Sequence, residues 1–262
     1  MEITYIRLSR KDGRKMIITV SNQKGGTGKS TTAAAIATGA AYKGKKTLAI
    51  DLDPQSNLSF IMGANPLDVG AYELITQKST PAQLIQHTSQ GDVIAGSLNL
   101  AGSDTTLKGD ARVYALKTAI KPLKSRYDVI VIDTPPTLGT LLINALAAAD
   151  KVIIPLQADI LSLQGLYQLT QTIRKAQSEY NKGLEIAGIL FTRHSSRTLI
   201  AREIIETMEQ KAAELNVPIL KSTIRDGVAV REAQTLRQSL FEYAPKSKPA
   251  KDYLDLLAEI GL

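Results

Sequence analysis

The chain has no cysteine and only two histidines, His87 and His194. The first absence excludes disulfides, thiolate zinc sites and iron–sulfur ligation. The second leaves too few imidazoles for a histidine-based metal or catalytic centre. Also missing is any apolar run of the roughly 20 residues that a bilayer span requires. Residues 1–15 are polar and lack the apolar core of a signal peptide. The expectation is a cytoplasmic protein with no membrane partner.

What is present is a chain of 262 residues, 44% of them hydrophobic, long enough for one large α/β domain with a buried core. Residues 1–15 read as an N-terminal extension, either an added edge strand or a basic arm carrying Arg10, Lys11, Arg14 and Lys15. It is too short for a helix-turn-helix domain. Residues 16–262 read as a single domain. Lys and Arg number 32 against 25 Asp and Glu, a net charge of +7 and a pI near 9.4. Such a balance permits binding to a polyanion, and it equally suits charge spread for solubility.

The chain is organised around residues 20–32. Residues 16–20 (Met-Ile-Ile-Thr-Val) predict a short buried strand, and residues 31–42, rich in Ala and Ile, predict a helix. A glycine-rich turn between strand and helix aims backbone N–H groups and the positive helix end at an anion. Gly28, Lys29 and Ser30 satisfy the end of the common phosphate-loop pattern. Its beginning departs: Lys24 enters the loop as a second lysine, and glycine falls at Gly25.

The segment Lys24-Gly25-Gly26-Thr27-Gly28-Lys29-Ser30-Thr31 resembles the deviant Walker A motif of the ParA/MinD group of ATPases. The resemblance implies ATP and Mg²⁺ as cofactors. Loop N–H groups and Lys29 would hold the β- and γ-phosphates, Ser30 would bind Mg²⁺, and Thr31 would lie near the α-phosphate. Two lysines in one tight loop repel unless phosphate lies between them or one turns away. The family resolves this with a face-to-face homodimer formed on ATP binding, in which Lys24 of one subunit reaches the phosphates of the other.

Two acidic motifs follow. Residues 46–50 predict a strand that delivers Asp51-Leu52-Asp53-Pro54-Gln55 at its carboxyl end, where open α/β sheets bind ligands. This is similar to the family's second acidic motif, which makes Asp53 the residue that orients or activates water and puts Asp51 in the Mg²⁺ shell. Residues 127–132 form an apolar run closing on Asp133-Thr134-Pro135-Pro136, a Walker B pattern in which Asp133 would hold Mg²⁺ through water.

Elsewhere the pattern is plainer. Residues 69–76, 81–87 and 111–124 predict helical pieces, with a strand at 92–95 and its exit at 98–100. Helices are expected at 138–148, 161–179 and 199–215, and strands at 151–155, 184–191 and 219–224. Thr192 and Arg193 fall where relatives contact the nucleotide base.

The last third resembles the ParA carboxyl-terminal region, in segments 225–233 and 243–250. That implies Arg225, Arg231, Lys246 and Lys248 as contacts to DNA phosphates, sequence-independent and salt-sensitive. Beside Glu232, Glu242 and Asp252 the same cations also fit scattered surface charge. Residues 252–262 form an amphipathic helix with Tyr253, Leu256, Leu257 and Ile260 on one side. Its acids Asp252, Asp255 and Glu259 point to core packing rather than to a membrane surface.

The resemblance runs from residue 16 to the end and implies a doubly wound, mostly parallel sheet flanked by helices on both faces. It implies a weak, partner-stimulated ATPase of the ParA/Soj partition type. The ATP-bound dimer would bind DNA nonspecifically on the nucleoid, and hydrolysis stimulated by a ParB-like centromere-binding protein would release it. Two alternatives use the same loop: a MinD-like cell-division positioning ATPase and a small-molecule ligase or kinase.

Overall fold

Short runs of Val, Ile and Leu, apolar on both sides, form strands buried on both faces, and these need helices above and below. The computed structural model describes residues 15–159, 162–194 and 199–262. The extension at residues 1–14 and the start of the helix expected at 161–179 lie outside them.

In chain order the elements are β1 (Met16–Val20), α1 (Lys29–Tyr42), β2 (Thr47–Asp51), α2 (Asn57–Ile61), α3 (Ala71–Ile75), β3 (Ile85–Thr88) and β4 (Gly91–Ile94). Next come α4 (Ser103–Thr106), α5 (Ala111–Ala119), β5 (Val129–Asp133), α6 (Thr140–Ala148), β6 (Lys151–Leu156), α7 (Ser162–Glu179) and β7 (Glu185–His194). The described chain closes with α8 (Leu199–Glu214), β8 (Ile219–Arg225), α9 (Val228–Thr235), α10 (Leu240–Tyr243) and α11 (Lys248–Ile260).

The eight strands form one sheet in the order β3-β4-β2-β5-β1-β6-β7-β8. Every pairing is parallel except β3 with β4. The chain winds outward both ways from β1, so this is the doubly wound sheet that the sequence implies. Its two faces carry separate cores. One holds Leu116 of α5, Leu146 of α6, Leu169 of α7 and Met208 of α8. The other holds Ile36 of α1, Leu58 of α2, Phe241 of α10 and Leu257 of α11.

Small residues let α1 sink close to the last helices. A Cβ on Gly39 would lie 2.6 Å from Leu257 Cδ1 and 2.8 Å from Phe241. On α11, Tyr253, Leu256, Leu257 and Ile260 are all buried in this layer, as the amphipathic pattern predicts. Ser247 caps the helix by accepting from Ala250 N–H at 3.3 Å.

Two local expectations change, at residues 81–87 and 111–124. Residues 81–87 are not one helix: a 3₁₀ turn, Pro81–Leu84, gives way to β3. Alternation and a tight return outweigh helix propensity there, with Thr88 Oγ1 donating to Gly91 O at 2.9 Å and Gly91 at φ 126°. The strand exit at residues 98–100 lies within a 3₁₀ helix, Leu98–Gly102. The helix expected over 111–124 stops at Ala119, because Pro122 cannot continue it and closes a separate 3₁₀ turn, Lys121–Ser125.

Candidate functional site

The site forms where β1, β2 and β5 end at one level. Register pairs Val20 with Asp133 and Asp51 with Asp133, so loop and both acids leave the sheet together. The loop after β1 is anchored from several sides. Asn22 Nδ2 donates to Pro155 O at 2.6 Å, and Asn22 Oδ1 accepts from Lys24 N–H at 3.1 Å. Gln157 Nε2 donates to Gly26 O at 2.8 Å, and Thr192 Oγ1 to Thr27 O at 2.8 Å. Tying the carbonyls back in this way leaves N–H groups to face the cleft.

Gly26 and Gly28 have φ of 75° and 85°, the left-handed region that favours glycine. A Cβ added at Gly25 or Gly26 would meet nothing within 4 Å, so the backbone there opens directly onto a cleft of about 700 Å³. Ser30, Asp53, Arg193 and Arg231 are among the residues lining it. An anion can therefore approach the loop's main chain without meeting side chains.

The two loop lysines part company. Lys29 is buried and donates through Nζ to Lys24 O at 3.1 Å. Burial lowers its pKa, while Asp133 and Asp53 act to keep it charged. Lys24 turns outward, and its Nζ lies 2.7 Å from Asp159 Oδ1, both side chains about one-third exposed. Asp159 also accepts from Ser162 N–H at 3.1 Å and Ser162 Oγ at 2.9 Å. Burial works against its charge, but Lys24 and Ser162 outweigh it and hold its pKa below the usual carboxylate range.

The three aspartates differ in what they touch. Asp133 is fully buried, and neither carboxylate oxygen completes a hydrogen bond. Burial and the neighbouring Asp51 push its pKa well above the usual value, while Ser30 and Lys29 nearby favour the charged form. Two orphaned buried oxygens beside a serine and a lysine fit a cation. Asp51, expected in the same Mg²⁺ shell, is otherwise engaged. Its Oδ2 accepts from Ser59 N–H at 2.8 Å and Ser59 Oγ at 2.7 Å, and its Oδ1 from Asp53 N–H at 3.0 Å. Burial raises its pKa to about 6, against those hydrogen bonds. Asp53 is buried but reaches the cleft, with Oδ1 accepting from Gln55 N–H at 2.9 Å.

The four basic residues expected at DNA are split by pairing. Arg225 is bound to Asp252 through its N–H, its Nε at 2.9 Å and its Nη2. Arg231 lies 2.9 Å from Asp226 Oδ1, more than half exposed. Lys246 and Lys248 are exposed and make no ion pair among the described residues. The two segments do meet, since a Cβ on Gly227 would lie 2.5 Å from Pro249 Cγ.

Sequence reasoning missed Asp159, Ser59 and Gln234, which line or brace the site. The only signal for Asp159 was an acid just past the carboxyl end of a strand. Ser59 and Gln234 carried none, because their partners are set by tertiary folding.

A family model described as an AAA domain matches residues 15–186. The sporulation initiation inhibitor protein Soj of Bacillus subtilis (strain 168) is 36% identical over 250 residues, covering 94% of this chain and 98% of Soj. The chromosome partitioning protein ParA of Myxococcus xanthus (strain DK1622) is 35% identical over 249 residues, 93% of this chain and 87% of that protein. The chain belongs to the ParA/Soj family. Its fold extends beyond partition names. A cobyrinic acid a,c-diamide synthase from Mycobacterium smegmatis, solved with bound ATP analog and magnesium, superposes with a TM-score of 0.83 at 33% identity, covering 93% of each chain. Membership of the ParA/Soj family thus rests on identity along nearly the whole chain, and the fold alone does not choose between partition and metabolic chemistry.

Proposed function

We propose that this chain is a partition ATPase whose active unit is residues 16–262, and whose ATP-bound form is a face-to-face homodimer that binds DNA nonspecifically. The observation that carries this reading is the division between the two loop lysines. Lys29 fills the loop from inside, while Lys24 stands half-exposed at its rim with Asp159 as its ion-pair partner. An inward lysine serves the chain's own nucleotide, and an outward one can exchange its carboxylate partner for another subunit's phosphate.

Within one subunit, N–H groups of residues 25–30 and Lys29 bind and orient the β- and γ-phosphates, and Thr31 lies by the α-phosphate. Ser30 and Asp133 would hold Mg²⁺, which would supply positive charge beside the phosphates. No group of three or more carboxylates or histidines forms a metal site among the described residues. Asp51 braces the site from behind, fixing the Asp53 backbone, and adds negative charge beside Asp133. Asp53 positions the attacking water and takes its proton.

Paired subunits would present Arg231, Lys246 and Lys248 twice, and doubling weak phosphate contacts raises affinity steeply. Arg225 is bound to Asp252, so its part in DNA contact is secondary. Slow hydrolysis, stimulated by a ParB-like centromere-binding protein, would separate the subunits and release the DNA. Its place would be the cytoplasm, on the nucleoid. No helix of the described residues is long and apolar enough to cross a membrane, and the apolar side of α11 is already covered.

Lys24→Ala is the direct test, read by light scattering after size exclusion with and without ATP and Mg²⁺. It should retain ATP and remain monomeric; a variant that dimerises as the parent does would sink the reading. The name of the Mycobacterium smegmatis neighbour favours a second possibility, a metabolite-activating ligase. ATP turnover raised by duplex DNA supports the partition reading, while turnover that needs a small carboxylic acid and ignores DNA supports the ligase.

A further inference from the structure

One helix touches both halves of the cleft. α9 carries Arg231 outward, and its Gln234 Nε2 donates to Thr31 Oγ1 at 2.8 Å, in the loop proposed to bind the triphosphate. Just beyond α9, Arg237 Nε donates to Phe60 O at 3.0 Å and Nη2 to Ala64 O at 2.9 Å. Its guanidinium also lies 5.3 Å from the Phe60 ring centroid. Gln90 Nε2 locks the same corner, donating to Arg237 O at 2.9 Å and to Ile61 O at 2.6 Å. Phe60 and Ile61 belong to α2, which follows Asp53 through Pro54-Gln55-Ser56.

Two features say that this corner is built. Arg237 sits at φ 52°, a left-handed backbone that costs energy for any residue but glycine and persists only when its surroundings hold it. Its guanidinium is spent on neutral carbonyls, with no carboxylate partner among the described residues, so its planar fork works as a clamp rather than as a charge.

We propose that Gln234 and Arg237 are positioning residues that tie α9, and with it Arg231, to the nucleotide state of the cleft. This rests on the nucleotide and DNA roles proposed above. A hydroxyl offers one proton and two lone pairs. While Thr31 accepts from Gln234, its own O–H is left to donate to a phosphate oxygen, and each bond of such a chain polarises and strengthens the next. Phosphate on Thr31 therefore draws Gln234 tighter. A movement of the segment after Asp53 reaches the same helix through Arg237. α9, eight residues long, transmits both as a rigid piece to Arg231.

Hydrogen exchange and DNA titration test this together. In the parent chain, a non-hydrolysable ATP analogue with Mg²⁺ should raise amide protection across residues 228–235. Gln234→Leu should abolish that rise and weaken analogue affinity about two- to tenfold, since the bond that phosphate tightens must by linkage tighten phosphate. With a nonspecific duplex and ATP, Gln234→Leu and Arg237→Ala should each weaken binding about tenfold, with the slope of log affinity against log salt unchanged because no phosphate contact is lost. Arg237→Lys keeps the charge but replaces the planar fork, whose Nε and Nη2 each reach a carbonyl, by a single nitrogen, so it should share the loss. If Arg237→Lys restores DNA affinity, Arg237 is a phosphate contact and the proposal falls. It falls as well if Gln234→Leu retains the nucleotide-dependent protection. A parent chain that ignores DNA would overturn the DNA role alone, since the exchange measurement still decides the linkage. Should Arg237→Ala fail to fold, Gln234→Leu decides by itself.

Discussion

Asp133 holds the sharpest residue-scale prediction, because both its oxygens are buried and unpaired. Asp133→Asn removes the charge and keeps the shape. Nucleotide affinity measured by calorimetry should then lose most of its Mg²⁺ dependence, while affinity in EDTA changes little. The same carboxylates set a pH dependence. Burial raises the pKa of Asp51 to about 6 and that of Asp133 upward too, whereas an unfolded aspartate titrates near 4. The folded, ligand-free protein thus binds protons more tightly than the unfolded chain. The contribution of these groups to stability is fully present below about pH 4 and is lost as pH rises through about 6. Ligand-free protein should gain stability from them as pH falls from 7 to 5, read by urea unfolding at each pH, and saturating Mg²⁺ with nucleotide should reverse the trend. Stability that rises with pH over this window in the ligand-free protein would contradict the assignment. That Gly28, Lys29, Ser30, Asp53 and Asp133 gather at one end of the sheet was legible in the sequence, because they stand in fixed spacings beside a strand or helix. The place of Asp51 was legible but its hydrogen bonds were not, since nothing local says that Ser59 will reach it.

Among the elements, two glycines fix how closely neighbours approach. Gly39 in α1 leaves no room for a methyl group beside Leu257 and Phe241. Gly39→Ala should destabilise by about 1–3 kcal/mol through overpacking, partly offset by about 1 kcal/mol of helix propensity. Denaturant titration of Gly39→Ala, Leu257→Ala and the double variant separates the terms, and the double variant should be more stable than the sum of the single losses predicts. Gly96 packs against the acidic turn, where a Cβ would lie 2.8 Å from Asp53 O and 3.1 Å from Asp51 Cγ. Gly96→Ala should lower the hydrolysis rate more than it lowers nucleotide affinity, since it presses on Asp53 and leaves the loop after β1 untouched. Element types followed from sequence wherever an apolar run was bounded by turn residues. Residues 81–87 failed because so short a run fits more than one period, and the choice was made by pairing with β4.

At the scale of the whole molecule, the net charge of +7 does not say where a polyanion would lie. Among the described residues Arg225 and Arg231 carry acidic partners and Lys246 and Lys248 do not, so the DNA contact proposed above falls first on the two lysines. Replacing both lysines by alanine should weaken binding to duplexes of any sequence and reduce the salt slope by about two per subunit, leaving ATP-dependent dimerisation intact. A mobility shift equal to that of the parent chain would defeat this assignment. The doubly wound sheet was legible from alternation of strand and helix patterns. Its order across β3 and β4 was not, because an antiparallel edge depends on a hairpin that the composition only hinted at.

The covering of α1 by α11 has a consequence for synthesis. The helix that follows the phosphate loop is made early, yet the side of it bearing Gly39 is closed only by residues near the other end of the chain. A nascent chain emerging from the ribosome carries that side of the helix uncovered until residues 248–260 have been added.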